Sequence, residues 1–197
     1  MNADGILHVT EALRDRLQVA LTSSGIPGNV FVGPLDDADA SGAPLILFLY
    51  RVVPNPSLRN REHRVAAPTP PPPTVVFRNS LPLDLYYLVT VGTTPGASEE
   101  TLLRALGFAM QELQGNSDLT GAALAHETVR VTLEPLTTEE ASRIWALFPN
   151  ANYRTSIAYL ATPVWIDPAQ PEAVAGPVVE ELLLVGQKVP GPEEAIA

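Results

Sequence analysis

The sequence predicts an α+β fold: a single mixed or antiparallel sheet with about three helices packed on it. Three observations predict it. Apolar residues recur at three- and four-residue spacing through 6–22 and again through 102–113. Alternation with a period of two fills 81–91, 129–133 and 153–166. Thr137 with Glu140 forms a capping box that opens a third helical stretch.

In chain order, Ile6, Val9, Leu13, Leu17 and Leu21 form one apolar stripe, and Ser23, Ser24 and Gly25 end it. Residues 29–32 read as a short strand. Residues 44–53 (PLILFLYRVV) are apolar at nearly every position, as in a strand covered on both faces. From Pro54 to Pro73 proline breaks all periodicity, so an exposed loop is expected there, with an Arg/Pro-rich region running over 54–80. Beyond it, Leu83, Leu85, Tyr87, Val89 and Val91 share one face of a strand, and Asp84, Tyr86, Leu88 and Thr90 the other. Ser98 caps a helix that carries Glu99 and Glu100 in its first turn and stops at Gly115. Val129, Val131 and Leu133 mark the next strand, and Pro149 closes the helix that begins at the capping box. Residues 153–166 read as a long strand whose Pro163 places it at an edge or a bulge. The expected division is a folded unit over 1–166 and an acidic arm over 167–197, with six acids, one lysine and an apolar run at 178–185 (VVEELLLV).

Composition narrows the chemistry. The chain has 197 residues, no cysteine and a net charge of −10. Disulfides, thiolate nucleophiles and sulfur-bound metal are therefore excluded. The longest apolar stretch, 45–50, falls far short of the ~20 residues a membrane helix needs, and the first residues have no cationic start, so neither membrane insertion nor secretion by a leader is predicted. The three histidines, His8, His63 and His126, stand far apart without ligand spacing, and no nucleophile elbow, phosphate loop or HExxH motif occurs. No metal, cofactor or catalytic residue is predicted. Asp84 reads as an exposed or hydrogen-bonded residue on the wetter face of its strand rather than as a general base.

Charge is distributed unevenly. Arg51, Arg59, Arg61, Arg64 and Arg78 share a stretch whose single acid is Glu62, giving +4 there and −14 over the rest. Guanidinium forks suit fixed bidentate contacts with carboxylates, so these arginines, with Asn55 and Asn60, are candidate contacts to a protein partner. Nucleic acid is not expected, because the remaining surface repels phosphate and interleaved aromatic residues are missing. A basic loop and an acidic arm on one molecule favour head-to-tail contacts between copies, which close into rings when the rotation permits. In the arm, Val178, Val179, Leu182, Leu183 and Leu184 are candidate interface residues. The run 70–73 reads as a stiff spacer; the alternative is an adaptor module that recruits an aromatic groove through this polyproline segment.

Five segments in order resemble one family: LFLYRVVPNPSLRN (47–60), LPLDLYYLVT (81–90), LGFAMQEL (106–113), VTLEPLTTEEASRIWALF (131–148) and YRTSIAYLATPVWID (153–167). Together they resemble the N-terminal domain of the cap, or tail-terminator, proteins of phage-tail-like contractile injection systems. The resemblance implies a tail-terminator fold and a homohexameric ring that ends and stabilises the inner tube and the sheath, with those two proteins as partners and no catalysis. It also implies assembly in the cytoplasm, with the finished particle either staying there or leaving on lysis.

Overall fold

The structure is a computed structural model and describes residues 1–66 and 74–175. The proline run at 70–73 and the apolar run at 178–185, with Val178, Val179, Leu182, Leu183 and Leu184, lie outside the described residues.

Three helices, α1 (Gly5–Ser24), α2 (Glu99–Gly115) and α3 (Thr138–Trp145), accompany strands β1 (Phe31–Val32), β2 (Leu45–Pro54), β3 (His63–Ala66), β4 (Thr74–Phe77), β5 (Leu81–Val91), β6 (Asp118–Leu119), β7 (Val129–Glu134), β8 (Ser156–Ile166) and β9 (Ala173–Ala175). Six strands make one mixed sheet in the order β1-β2-β5-β8-β7-β6, antiparallel except for the β1–β2 pair. Local signals set the helix ends. Gly25 adopts a left-handed conformation (φ 69°) and its N–H returns to the α1 carbonyls. The Ser98 side chain accepts from the Thr101 N–H, and Thr137 with Glu140 completes the capping box of α3.

Helices α1 and α2 cover one face. Val9, Leu13, Leu17 and Leu21 pack on Leu45, Leu47, Leu85, Tyr87 and Val89, all fully buried. Each buried leucine stabilises the fold by about 2 kcal/mol. The Tyr87 hydroxyl enters this core and stays satisfied by Thr10 at 2.8 Å. The second face is covered by α3 and the residues after it: Trp145 and Phe148 pack on Leu88 and Phe48, with Phe148 edge-on to Phe48 at 5.1 Å. This explains why β5 is buried at nearly every residue although its alternation reads as one apolar and one mixed face.

Two features differ from the sequence reading, and a third decides between the alternatives it left open. The segment expected to be a loop contains β3 and β4, which form a second, three-stranded sheet, β3-β4-β9. The β-branched run Thr74-Val75-Val76 supplies the strand propensity there, and the flanking prolines hide it. Residues 167–175, placed in the arm by composition, include β9 and complete this sheet on β4. Finally, β8 is central, between β5 and β7. Its Pro163 lies in a bulge, where Thr162 and Pro163 together oppose Asp84 between the pairs Ala161–Leu85 and Val164–Leu83, so the missing N–H falls in a gap of the ladder.

Candidate interaction surface

The candidate arginines lie at and beyond the far end of β2. Asn55, directly after the strand, is the clamp of this region. Its side-chain oxygen accepts from the Ser57 and Leu58 N–H groups at 3.0 and 3.1 Å, an Asx turn. Its amide donates to Asp84 Oδ1 at 2.9 Å, and its own N–H donates to the Pro82 carbonyl at 2.8 Å. Asp84 is buried at 8% exposure and also accepts from the Thr162 hydroxyl. Asn55 therefore faces the sheet and holds the turn rather than offering itself to a partner. Main-chain bonds from Arg59 N–H to the Asn55 carbonyl and from Arg61 N–H to the Leu58 carbonyl tighten it further. Arg59, Asn60 and Arg61 are left exposed on a pinned turn.

The other arginines are engaged within the chain. Arg51 stacks over the Tyr86 ring at 4.9 Å. Arg64 and Arg78 both bind Glu62, at 3.0 and 3.2 Å, and Arg78 also reaches Glu172 at 2.7 Å. Hydrogen bonds from Arg64 and Arg78 hold the Glu62 carboxyl below its ordinary pKa. Among the described residues, only Arg59 and Arg61 of the five have neither a carboxylate nor an aromatic partner. The positive field of the stretch thus narrows to one turn. In the loop between β1 and β2, Asp36, Asp37 and Asp39 are all exposed. The basic turn and this acidic loop are separate exposed patches of opposite sign.

A second cluster has no signal in sequence. His63 is buried on β3, its ring stacked on Trp165 at 4.4 Å. Its Nδ1 meets Asp167 at 2.7 Å and its Nε2 meets Glu127 at 3.3 Å. The Met1 ammonium group donates to both carboxylates at 2.6 Å, and Ser80 donates to Asp167. Burial depresses the His63 pKa, but the bonds to Asp167 and Glu127 outweigh it and the net shift is upward. Burial raises Asp167, but His63, the ammonium group and Ser80 together bring it down to about 2. A histidine and two carboxylates are a possible ligand set for a metal ion. Here, though, the two ring nitrogens serve different carboxylates, and the ammonium group already neutralises the remaining oxygens. The cluster joins the second sheet, through His63, to the end of β8, through Asp167.

Residues 8–180 match the family described as the Pvc16 N-terminal domain. The chain belongs to that family. A comparison with curated proteins finds no match. Among solved structures, the Pvc16-type fold is shared with the PVC sheath/tube terminator of an extracellular contractile injection system in its extended state. That match has a TM-score of 0.58 at 17% identity, over 96% of this chain and 66% of the other. It is shared as well with the anti-feeding prophage tube-terminating cap, at a TM-score of 0.59 and 18% identity, over 90% of this chain and 60% of the other. The chain thus spans three-fifths to two-thirds of the length of these two proteins. Among the described residues of this Pvc16-family chain, no helix is long and apolar enough to cross a membrane.

Proposed function

We propose that this chain is a structural cap that ends the inner tube and sheath of a contractile injection system, acting as a ring of six copies and without catalysis. The observation that carries the reading is the fold match, over nearly the whole chain, to a protein described as a sheath/tube terminator. The family match supports it. The physical reasoning is that a growing polymer offers open heterologous contacts on its last layer and stops when something satisfies them without offering the next copy. A unit of this length has a radius of gyration of roughly 16 Å and a width of about 40 Å. Six in a ring enclose a lumen of about 40 Å, the scale of a lid over a tube.

The basic turn and the acidic 36–39 loop give each copy patches of opposite sign for head-to-tail closure. Arg59 and Arg61 serve the contact to acidic groups on a neighbour or on tube or sheath. Assembly takes place in the cytoplasm.

The test is particle length and copy number. A strain lacking the chain is expected to produce sheathed tubes of uncontrolled length or low integrity, and the protein mixed with tube protein is expected to show six-fold mass. Tubes of normal length and sturdiness without it overturn the reading. Replacing Arg59 and Arg61 with alanine removes two ion pairs worth about 1 kcal/mol each, so attachment to the particle is expected to weaken by about thirtyfold. The melting temperature of the free protein should stay unchanged, because neither side chain has a partner within the described chain.

A further inference from the structure

The inner face of the second sheet is only partly used. Val65 and Val75 are register partners, as are His63 and Phe77, so the four side chains share one face. At one end of that face His63 stacks on Trp165 at 4.4 Å. At the other end Val65 and Val75 stay half-buried and line a cleft of about 420 Å³. Ala125, Pro168 and Pro171 add to its apolar lining, and Glu127 and Asp167 reach it from the ionic cluster. Placing a further carboxylate among apolar walls beside these two is costly. The cleft suits an apolar occupant.

We propose that segment 178–185 (VVEELLLV) of the same chain docks in this cleft as a short helix. Its sequence fits that form. At the two-residue spacing of a strand each side carries a glutamate, whereas at helical spacing Val178, Val179, Leu182, Leu183 and Val185 share one side and Glu180, Glu181 and Leu184 the other. Pro177 before the segment and Gly186 after it are the residues that start and stop a helix. Eight residues are too few for an isolated helix, so the form depends on the cleft that receives it. The place where the chain leaves the second sheet selects its own cleft over that of a second copy. Ala175 is the register partner of Thr74, next to Val75 on the cleft wall. Three residue steps from Ala175 to Val178 span at most about 11 Å. A tether this short holds the segment at its own cleft at an effective concentration of about a millimolar, and a second copy competes only if its cleft comes within the same reach. The helix covers the apolar walls with its glutamates outward and leaves the carboxylates their water. The contact belongs to the free chain and goes beyond the cap reading, since it needs no ring.

The chain has no cysteine, so paired substitutions report the contact directly. In full-length protein under mild oxidation, Val65→Cys with Leu182→Cys, and separately Ala169→Cys with Leu182→Cys, are expected to close a disulfide within one chain roughly tenfold faster than Leu103→Cys with Leu182→Cys. Leu103 is 43% exposed on α2, outside the cleft. Ala169 is an exposed lining residue, so that pair leaves the face of the second sheet unaltered. Adding Val179→Glu and Leu183→Glu should remove the preference, whereas Leu184→Glu should leave it intact, because only the first two lie on the docking side. Equal rates at both cleft positions and at Leu103 overturn the proposal. Linked dimers in place of linked monomers overturn it too and give the cleft to a second copy. Loss of the preference in the Leu184→Glu protein overturns the helix, since residues 182 and 184 share a side in a strand. Tube length in a strain lacking the chain does not depend on this contact, so its failure leaves the cap reading standing.

Discussion

Replacing Asp167 with alanine is expected to destabilise the fold by about 3 kcal/mol and to lower the melting temperature by about 10 °C. The side chain holds His63, the Met1 ammonium group and Ser80 at once. Its loss leaves two cationic groups sharing Glu127 alone in a largely buried site. Orphaning a buried partner costs 3–5 kcal/mol in general. The lower end applies because a cleft of about 420 Å³ reaches Asp167 and Glu127 and admits water. Ser80→Ala removes one hydrogen bond to the same carboxylate and is expected to cost about 1 kcal/mol. If both variants melt within 2 °C of the parent, the cluster contributes no more than an exposed ion pair does.

The same residues set the dependence on pH. Asp167 titrates at about 2 in the fold against 3.8 when free, so its contribution, about 2 kcal/mol, is present above pH 4 and lost as pH falls toward 2. His63 is shifted upward from 6.5; its contribution is complete below that pH and lost as pH rises through the folded value. Thermal stability of the parent protein should therefore be greatest between about pH 4 and 6.5. In the Asp167→Ala protein the acid limb should flatten.

A second large effect is expected at Gly92, where β5 runs into the loop beside the start of β2. Its N–H bonds the Pro44 carbonyl at 2.9 Å. A Cβ on this residue would lie 1.7 Å from the Ala43 carbonyl oxygen and 2.8 Å from the Ala43 carbonyl carbon, both backbone atoms that cannot rotate away. Gly92→Ala must separate the ends of two central strands. A loss of about 3 kcal/mol, with soluble yield falling accordingly, is the expected result. Gly107, on α2, has nothing near its would-be Cβ, so Gly107→Ala is the matched control and should be neutral or stabilising. Equal melting temperatures for the two variants would show that the Ala43 backbone yields freely.

The parts of the fold legible in the sequence are those whose cause is local. The α1 stripe repeats every three or four residues and the Ser98 cap and the Thr137–Glu140 box each lie within one turn of chain, and each helix starts where its pattern predicts, although α3 ends at Trp145, short of Pro149. The second sheet was hidden because its strands, of three or four residues each, start at 63, 74 and 173 and none has enough alternation to stand out from the prolines around it. The central place of β8 was hidden for a different reason: Pro163 argues for an edge or a bulge, and only the register with Asp84 decides for the bulge. The arginine cluster was visible as charge. Which of its members remain free depends on Glu172, nearly a hundred residues from Arg78, and on Tyr86 under Arg51. Asn55 shows the same limit, since Asn-Pro-Ser announces a turn, while the Asp84 that anchors it is 29 residues away.

The ionic cluster has a kinetic corollary. Its bonds join groups separated by 126 and 166 residues along the chain, so forming them closes loops that span most of the polypeptide, at a cost in chain entropy. Chain entropy disfavours such contacts early in folding, so weakening them is expected to hasten unfolding more than it slows refolding, which the two arms of a denaturant chevron for Asp167→Ala would show. The cluster is then expected to behave as a clasp fastened late, its strength setting the lifetime of the native protein more than the speed at which it is reached.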